Sequence, residues 1–482
     1  MEKVVYNPYL PSFEYIPDGE PHIFGNRVYI YGSHDAFDGG GFCLLDYVCW
    51  SAPIDDLTDW RYEGVIFKRS QDPDGKPGAM RAMYAPDVVE GNDGKYYLYY
   101  FLAYQGLICV ARCDTPAGKY EYIGHVKYKD GTLLGKKKEP LQFDPGVFKD
   151  DDGTIYMFTG FGPVNYPFFL LGNHKASEHG PMGFILEDDM LTIKEGPAYI
   201  GVLGKKEGKG TAFEGHEFFE ASSMRKFDNK YYFIYSSYNG HELCYAVSDK
   251  PMSGFEYGGT LVSNGDVGLY AKGIKDAKNF TGNTHGSLIK IKDKYYVFYH
   301  RQTNRNAFSR QACAEQIEFK DGKFLQAEMT SCGLKDDNML PGKGTYEARI
   351  ACQLYSTKYP MYFAGVFKKP KGNLPYFTQT GKDREDNPDQ YIANMSNGSV
   401  AVFKYFDIKS LKEIEIAYKG NATGVLKVFD IEDKLIAELP IINSKELNKS
   451  VGKVNEIKKG KQLLKFAYEG KGHFDFISFK IG

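Results

Sequence analysis

Five residues able to do chemistry recur at nearly the same place in the rhythm of the chain. They are Asp18 in PDGEPHIF, Asp87 in YAPDVVE, Asp144 in FDPGVF, Glu220 in FFEASSM and His285 in NTHGSLI. Each opens an apolar run, and 11, 10, 12, 12 and 11 residues later respectively comes a tyrosine in an aromatic run: Tyr29, Tyr97, Tyr156, Tyr232 and Tyr296. Near-equal offsets in repeated units mean near-equal positions in space, so four carboxyl groups and an imidazole are expected to converge. Gathering like charges raises some of their pKa values and costs stability, so such clusters usually serve acid–base chemistry or a metal. Glu220, set among Phe218, Phe219 and Ala221, has the surroundings that keep a carboxyl protonated, which suits a general acid. Glu20 is a rival to Asp18 two residues further along the same strand. Asp144 precedes Pro145-Gly146 and reads equally as a turn former. His285 reads as part of a central metal or water network, with a structural histidine as the alternative.

The elements that would position these groups are repeats. A polar turn followed by an aromatic strand appears as NRVYIYGSHD (26–35), DGKYYLYYF (93–101), DGTIYMFTGF (152–161), DNKYYFIYSS (228–237) and KDKYYVFYHR (292–301). The marker tyrosines step by 68, 59, 76 and 64 residues, room for four strands and their loops in each unit. The turns carry hairpin chemistry, with Asp-Gly at 93–94 and 152–153. A second phrase, DTPAGKYEYIG (114–124) and DKPMSGFEYGG (249–259), follows two of the hairpins. Units of this kind predict an all-β, five-bladed β-propeller over residues 1–340, its innermost strands opening at one mouth of a central channel. On this plan blades one and four face each other, so Asp18 and Glu220 would oppose one another with Asp87 between them. Arg301, in YHRQT on blade five, is expected to contact substrate or balance charge, with a surface role the equal alternative. Trp50, Phe219 and Tyr84 are expected to form an apolar wall, with core packing the alternative for each.

After DDNMLPGKGTY (336–346), read as a linker, the aromatic phrase stops. Short alternating strands follow, among them GSVAVFKYF (398–406), GVLKVFDI (424–431) and FDFISFKI (474–481), and predict a jelly-roll-like β-sandwich over 345–482.

Composition bounds the rest. Aromatic residues make up 15% of the 482, with 53 Gly and 22 Pro to turn the chain. Sixty Lys and Arg against 62 Asp and Glu leave a net charge of −2, which argues against nucleic-acid binding through a broad basic surface. No segment approaches the ~20 apolar residues of a membrane span. The start, MEKVVYNPYLPSFEYIPDGE, has no apolar signal core, and the eight cysteines have neither C-x-x-C nor zinc spacing, so a cytoplasmic location is expected.

At these motifs the chain resembles glycoside hydrolase family 43. The resemblance runs from Asn7-Pro8 to about residue 335 through NPYLPSFEYIPDGEPHIFGNRVYIYGSHD, MYAPDVVEGNDGKYYLYY, FFEASSMRK and NTHGSLIKIKDKYYVFYH. It implies an inverting, exo-acting glycosidase on α-L-arabinofuranosides or β-D-xylosides, with a pentose-containing oligosaccharide as substrate. It implies Asp18 as general base, Asp87 as the residue that modulates the acid and orients the sugar, and Glu220 as general acid. His285 would lie near a central calcium ion or a water cluster, with no organic cofactor. GSHD…GGGF (32–42) is similar to arabinofuranosidase members. The tail, in QYIANMSNGSVAVFKYF and GVLKVFDIEDKLIAELPI, resembles a family 6 carbohydrate-binding module, although both tryptophans, Trp50 and Trp60, lie in the first blade. A retaining fructosidase-like enzyme and a non-catalytic sugar-binding propeller are the other readings.

Overall fold

The aromatic runs are buried on both sides, and that dictates the architecture. In Tyr96–Phe101, Tyr97, Tyr99 and Phe101 point into one core, while Leu98 and Tyr100 point into the next. Successive side chains of a strand face opposite ways, so a strand apolar at every position needs an apolar layer on each side. Blades stacked face to face around an axis supply both. The computed structural model describes residues 6–75, 81–165, 171–362, 368–383 and 389–482.

Five antiparallel sheets form the ring. Blade one is β1 (Glu20–Phe24), β2 (Arg27–Tyr31), β3 (Tyr47–Pro53) and β4 (Arg61–Phe67). Blade two is β5 (Asp87–Glu90), β6 (Tyr96–Phe101), β7 (Ile108–Cys113) and β8 (Glu121–His125). Blade three is β9 (Gly146–Lys149), β10 (Ile155–Thr159), β11 (Met182–Leu186) and β12 (Ile193–Tyr199). Blade four is β13 (Phe218–Phe227), β14 (Lys230–Ser237), β15 (Glu242–Ser248) and β16 (Glu256–Ser263). Blade five is the three-stranded β17 (Leu288–Ile291), β18 (Lys294–Gln302) and β19 (Arg310–Ile317). All five marker tyrosines fall on the second strand of their blade. The ring closes at Asn7, whose side-chain amide donates to the Ala314 carbonyl and accepts from the Ala314 N–H, each at 3.1 Å, on the free edge of β19.

First strands of neighbouring blades approach closely, and glycine is what permits it. A Cβ on Gly146 would lie 2.1 Å from the Ser222 carbonyl oxygen of blade four. The glycine of Asp144-Pro145-Gly146 thus answers to packing between blades.

The second domain starts earlier than the sequence reading placed it. Leu340–Pro341, inside the expected linker, already pairs with Phe406 and Asp407, and Gly344–Glu347 pairs with the last strand. The second domain is built from one ten-stranded sheet that curls on itself. The cause is strand length. Glu413–Phe429 and Gly460–Ile481 pair with each other along almost the whole of Glu413–Phe429, and bend through Gly420, Gly424, Gly470 and Gly472 from one layer to the other. Phe403, Phe466, Phe476 and Phe479 fill the core this encloses. All eight cysteines are free thiols. Among the described residues no helix is long and apolar enough to cross a membrane.

Candidate active site

Strand register sorts the channel residues into two tiers. Glu20 pairs with Tyr31 and Asp87 with Tyr99, each two residues past its marker tyrosine. Gly146 pairs with Phe158 and Ser223 with Ile234, at the same level. One full pleat towards the mouth, about 7 Å at 3.3–3.4 Å per residue, come Asp18, Asp144, Glu220 and His285; the corresponding residue of blade two is Ala85. The structure therefore brings Asp18, Asp144, Glu220 and His285 together at the mouth and sets Asp87 one tier deeper.

The upper tier is buried and tightly held. Ser33 Oγ donates to Asp18 Oδ2 at 2.6 Å and Arg310 Nη1 to Asp18 Oδ1 at 2.9 Å. Asp18 lies in the left-handed region at φ 59°, and its N–H points at His300 Nδ1, 3.4 Å away. A non-glycine residue keeps that conformation only where its surroundings impose it. His300 Nε2 is 2.7 Å from the Asn283 carbonyl. Burial, then Arg310, pushes His300 down to about 3, so the imidazole is neutral, donating through Nε2 and accepting through Nδ1. Arg310 also grips Asp35 in a fork, Nε to Oδ2 at 2.8 Å and Nη2 to Oδ1 at 3.0 Å. Burial raises the Asp18 carboxyl, but Arg310 and its other partners outweigh that and hold it below the ordinary carboxylate value.

Glu220 is tuned the opposite way. Register shifts on either side of it mark a bulge in β13, and Ala221 takes φ 69°. Such a bulge re-aims a side chain, here into the channel. Burial, then the Asp144 charge, pushes Glu220 up to about 8. Asp144, itself at φ 45°, is raised by burial and by Asp18, against the opposing pull of His285.

Asp87 has a different occupation. Its Oδ2 accepts from the Val147 N–H of blade three at 2.8 Å, and its Oδ1 accepts from the Val88 N–H at 2.8 Å and lies 2.6 Å from His22 Nε2 of blade one. It ties three blades together. Glu20, its neighbour in this tier, accepts from Arg225 Nη2 at 2.7 Å and from Ser223 Oγ at 2.9 Å. Of the two rivals on the first strand, Asp18 is thus the one at the mouth.

Two further expectations are corrected. Arg301 is 3% exposed and faces the second domain, donating to the Arg349 and Ala351 carbonyls; its neighbour His300 has the channel side of β18. Trp50 sits on the third strand of its blade, packed with Ile30 and Val48, its Nε1 donating to Glu14 Oε2 at 2.8 Å. Tyr84 and Phe219 do form part of an aromatic arc. It runs Tyr84–Phe143–Phe161–Phe219–Tyr238, with ring centroids 5.1, 4.9, 5.1 and 5.7 Å apart. Arg310, Asp35, Ser33 and His300 escaped the sequence reading. The signals that marked them were the alternation of His300 and Arg310 along β18 and β19 and the place of Ser33 and Asp35 within GSHD (32–35).

The central residues suit a hard cation. His285 lies between Glu20 Oε1, 3.5 Å from its Nε2, and Asp144 Oδ2, 3.6 Å from its Nδ1. Among the described residues, Glu20 Oε1 and Asp144 Oδ1 are buried without a hydrogen-bond partner. Oxygen donors of this kind match calcium, which takes six to eight oxygens at about 2.3–2.6 Å. Deeper in, ligand atoms of Glu20, His22 and Asp87 lie within 4.8 Å of one another.

A buried carboxylate clamped by arginine, facing a buried carboxyl held protonated, is the equipment of a glycosidase. The chain belongs to the glycosyl hydrolases family 43, whose model matches residues 16–324, and it is a glycosidase. A xylosidase/arabinosidase of Thermoclostridium stercorarium is 46% identical over 490 residues, spanning 100% of this chain and 99% of the relative. A β-xylosidase of Xylanibacter ruminicola is 30% identical over 317 residues, 61% of this chain and 89% of the relative. Among solved structures, an arabinoxylan arabinofuranohydrolase from Bacillus subtilis in complex with cellotetraose shares the fold over 98% of this chain and 97% of its own, with a TM-score of 0.52 at 20% identity. A β-xylosidase/α-arabinofuranosidase from a compost microbial metagenome, in complex with xylotriose and in a calcium-free form, matches 66% of this chain and 96% of its own, with a TM-score of 0.51 at 25% identity.

Proposed function

We propose that the protein is an inverting, exo-acting glycosidase releasing a terminal α-L-arabinofuranosyl or β-D-xylosyl unit from xylan-derived oligosaccharides. The observation that carries this reading is the opposite tuning of two buried carboxyl groups, Asp18 held ionised by Arg310 and Glu220 held protonated up to about 8. Asp18 draws the proton from a water, which attacks the anomeric carbon as Glu220 protonates the departing oxygen. Asp144 takes the modulating role the resemblance implied for Asp87, because its charge is the largest acting on Glu220 after burial. Phe219 and Tyr84, through the arc beside Glu220, stack the sugar on the leaving side. A calcium ion, when bound, would be held by Glu20 and Asp144 beside His285 and would neutralise charge between the carboxylates. The relatives' names support pentosides as substrates, and GSHD…GGGF favours the arabinofuranoside.

The test is a panel of nitrophenyl pentosides, with proton NMR of the first-formed sugar from the best substrate. The expected product has inverted anomeric configuration. A retained anomer would overturn direct water attack, and silence on both pentosides would overturn the substrate class.

A further inference from the structure

The two strands that clamp Asp18 have a second face. His300 on β18 and Arg310 on β19 look into the channel. The next residue on each strand, Arg301 and Gln311, looks away from it. The Arg301 guanidinium lies over the Phe377 ring, 3.8 Å from its centroid. Its Nη1 donates to the Arg349 carbonyl at 2.9 Å and the Ala351 carbonyl at 3.2 Å. Its Nη2 donates to Gln311 Oε1 at 2.9 Å and Gln390 Oε1 at 3.3 Å. A buried cation among neutral oxygens pays a desolvation penalty that good geometry only partly offsets, so this contact is a costly way merely to tether a module.

The same surface reaches the first strand. Gln390 Nε2 donates to the Tyr15 hydroxyl at 3.4 Å, and that hydroxyl donates to Gln379 Oε1 at 2.6 Å. Tyr15 stands three residues before Asp18, and its carbonyl accepts the Asp35 N–H at 2.9 Å. Asp35 in turn holds Arg310. Asn304 makes the third link: its N–H donates to the Phe377 carbonyl at 2.7 Å, its Oδ1 accepts from Thr378 Oγ1 at 3.1 Å, and its Nδ2 donates to Asp38 Oδ1 at 2.8 Å.

We propose that the second domain is a working part of the hydrolytic site, gripping β18, β19 and the approach to β1 from behind so that Arg310 and His300 hold Asp18 in its attacking position. Tyr15 and Arg301 are then positioning residues for the reaction. The proposal rests on Asp18 being the base.

Tyr15→Phe removes one hydroxyl while keeping the ring against Phe37, and Arg301→Lys keeps the charge but not the fork. In the full-length protein each is expected to lower kcat on the order of tenfold, against the ~10²-fold that a 1 Å misplacement can cost. KM should stay within about twofold, and the loss of kcat should exceed what the change in melting temperature accounts for. A fall in kcat that merely follows the melting temperature, or that comes with a matching rise in KM, would overturn the proposal, as would wild-type behaviour of both variants. Asp18→Asn separates the two ideas. If it is inactive while Tyr15→Phe and Arg301→Lys behave as wild type, only the positioning role falls. If Asp18→Asn turns over normally, the base assignment falls and the proposal with it.

Discussion

Glu220 and Asp18 are both buried carboxyls, and their neighbours decide which keeps its proton. Asp18 has the Arg310 guanidinium and the Ser33 hydroxyl as donors. Glu220 has the Asp144 carboxylate as its largest charged influence. Activity should therefore fall on the alkaline side as Glu220 ionises near pH 8, and persist on the acid side below the ordinary carboxylate range. Glu220→Gln should abolish most turnover on substrates with poor leaving groups and spare an aryl glycoside whose leaving group needs no proton. Equal losses on both would remove Glu220 from the acid role. The same group governs stability. Its folded-state pKa lies above the ordinary 4.5, so the folded chain holds more protons than the unfolded one between about pH 4.5 and 8, and stability drains away as pH rises through that window. Glu220→Gln should melt higher than the wild type at pH 8 and match it at pH 4.

At the scale of the element, hairpin length explains both the success of the repeat reading and its error. Blade one turns through Gly25-Asn26, whereas blade two turns through Gly91–Lys95. A longer loop adds a residue to the offset at every level. The mouth tier accordingly sits 11 residues before the marker tyrosine in blades one and five and 12 in blades two to four, with the β13 bulge supplying the extra residue in blade four. Asp87, at 10, belongs to the deeper tier. The blades, their order and the convergence of Asp18, Glu220 and His285 were legible because tyrosine spacing and turn chemistry are local. Depth in the channel was not, because it depends on pairing across each hairpin. Arg301 was mistaken for the same reason, one residue being the whole difference between the two faces of a strand. The two aspartates can be told apart by experiment. Asp144→Asn should cut kcat by ~10²-fold or more and shift the alkaline limb to lower pH, since the charge that keeps Glu220 protonated is gone. Asp87→Asn should leave kcat near wild type and lower the melting temperature, because its replacement amide meets the Val147 and Val88 donors; an unsatisfied buried donor costs about 1–3 kcal/mol. A loss of turnover in Asp87→Asn without a loss of stability would restore Asp87 to the chemistry.

Across the whole molecule, the two domains share buried charge. Lys404 of the second domain is 1% exposed and reaches Glu328 at 3.1 Å and Asp266 at 3.7 Å, both on the propeller side. Gln353 Nε2 donates to Asp266 Oδ2 at 2.7 Å. Phe280 packs with Met361 and Leu374, and Cys352 joins the core between blades four and five. Removing the second domain would strand Asp266 without its cation and bare Phe280, and the penalty for breaking a buried pair runs to about 3–5 kcal/mol. The intact chain is therefore expected to unfold in a single calorimetric transition, and a fragment ending at residue 340 to be insoluble or to melt well below it. A module kept for gripping polymer would behave otherwise. It would be joined by a linker, melt on its own, and present an aromatic platform to the sugar, for which tryptophan is the most effective ring; this domain contains none, since both tryptophans are in blade one. Two separated transitions, or a fragment as stable as the whole together with an isolated domain that pulls down xylan, would show that the second domain is cargo rather than part of the enzyme's frame.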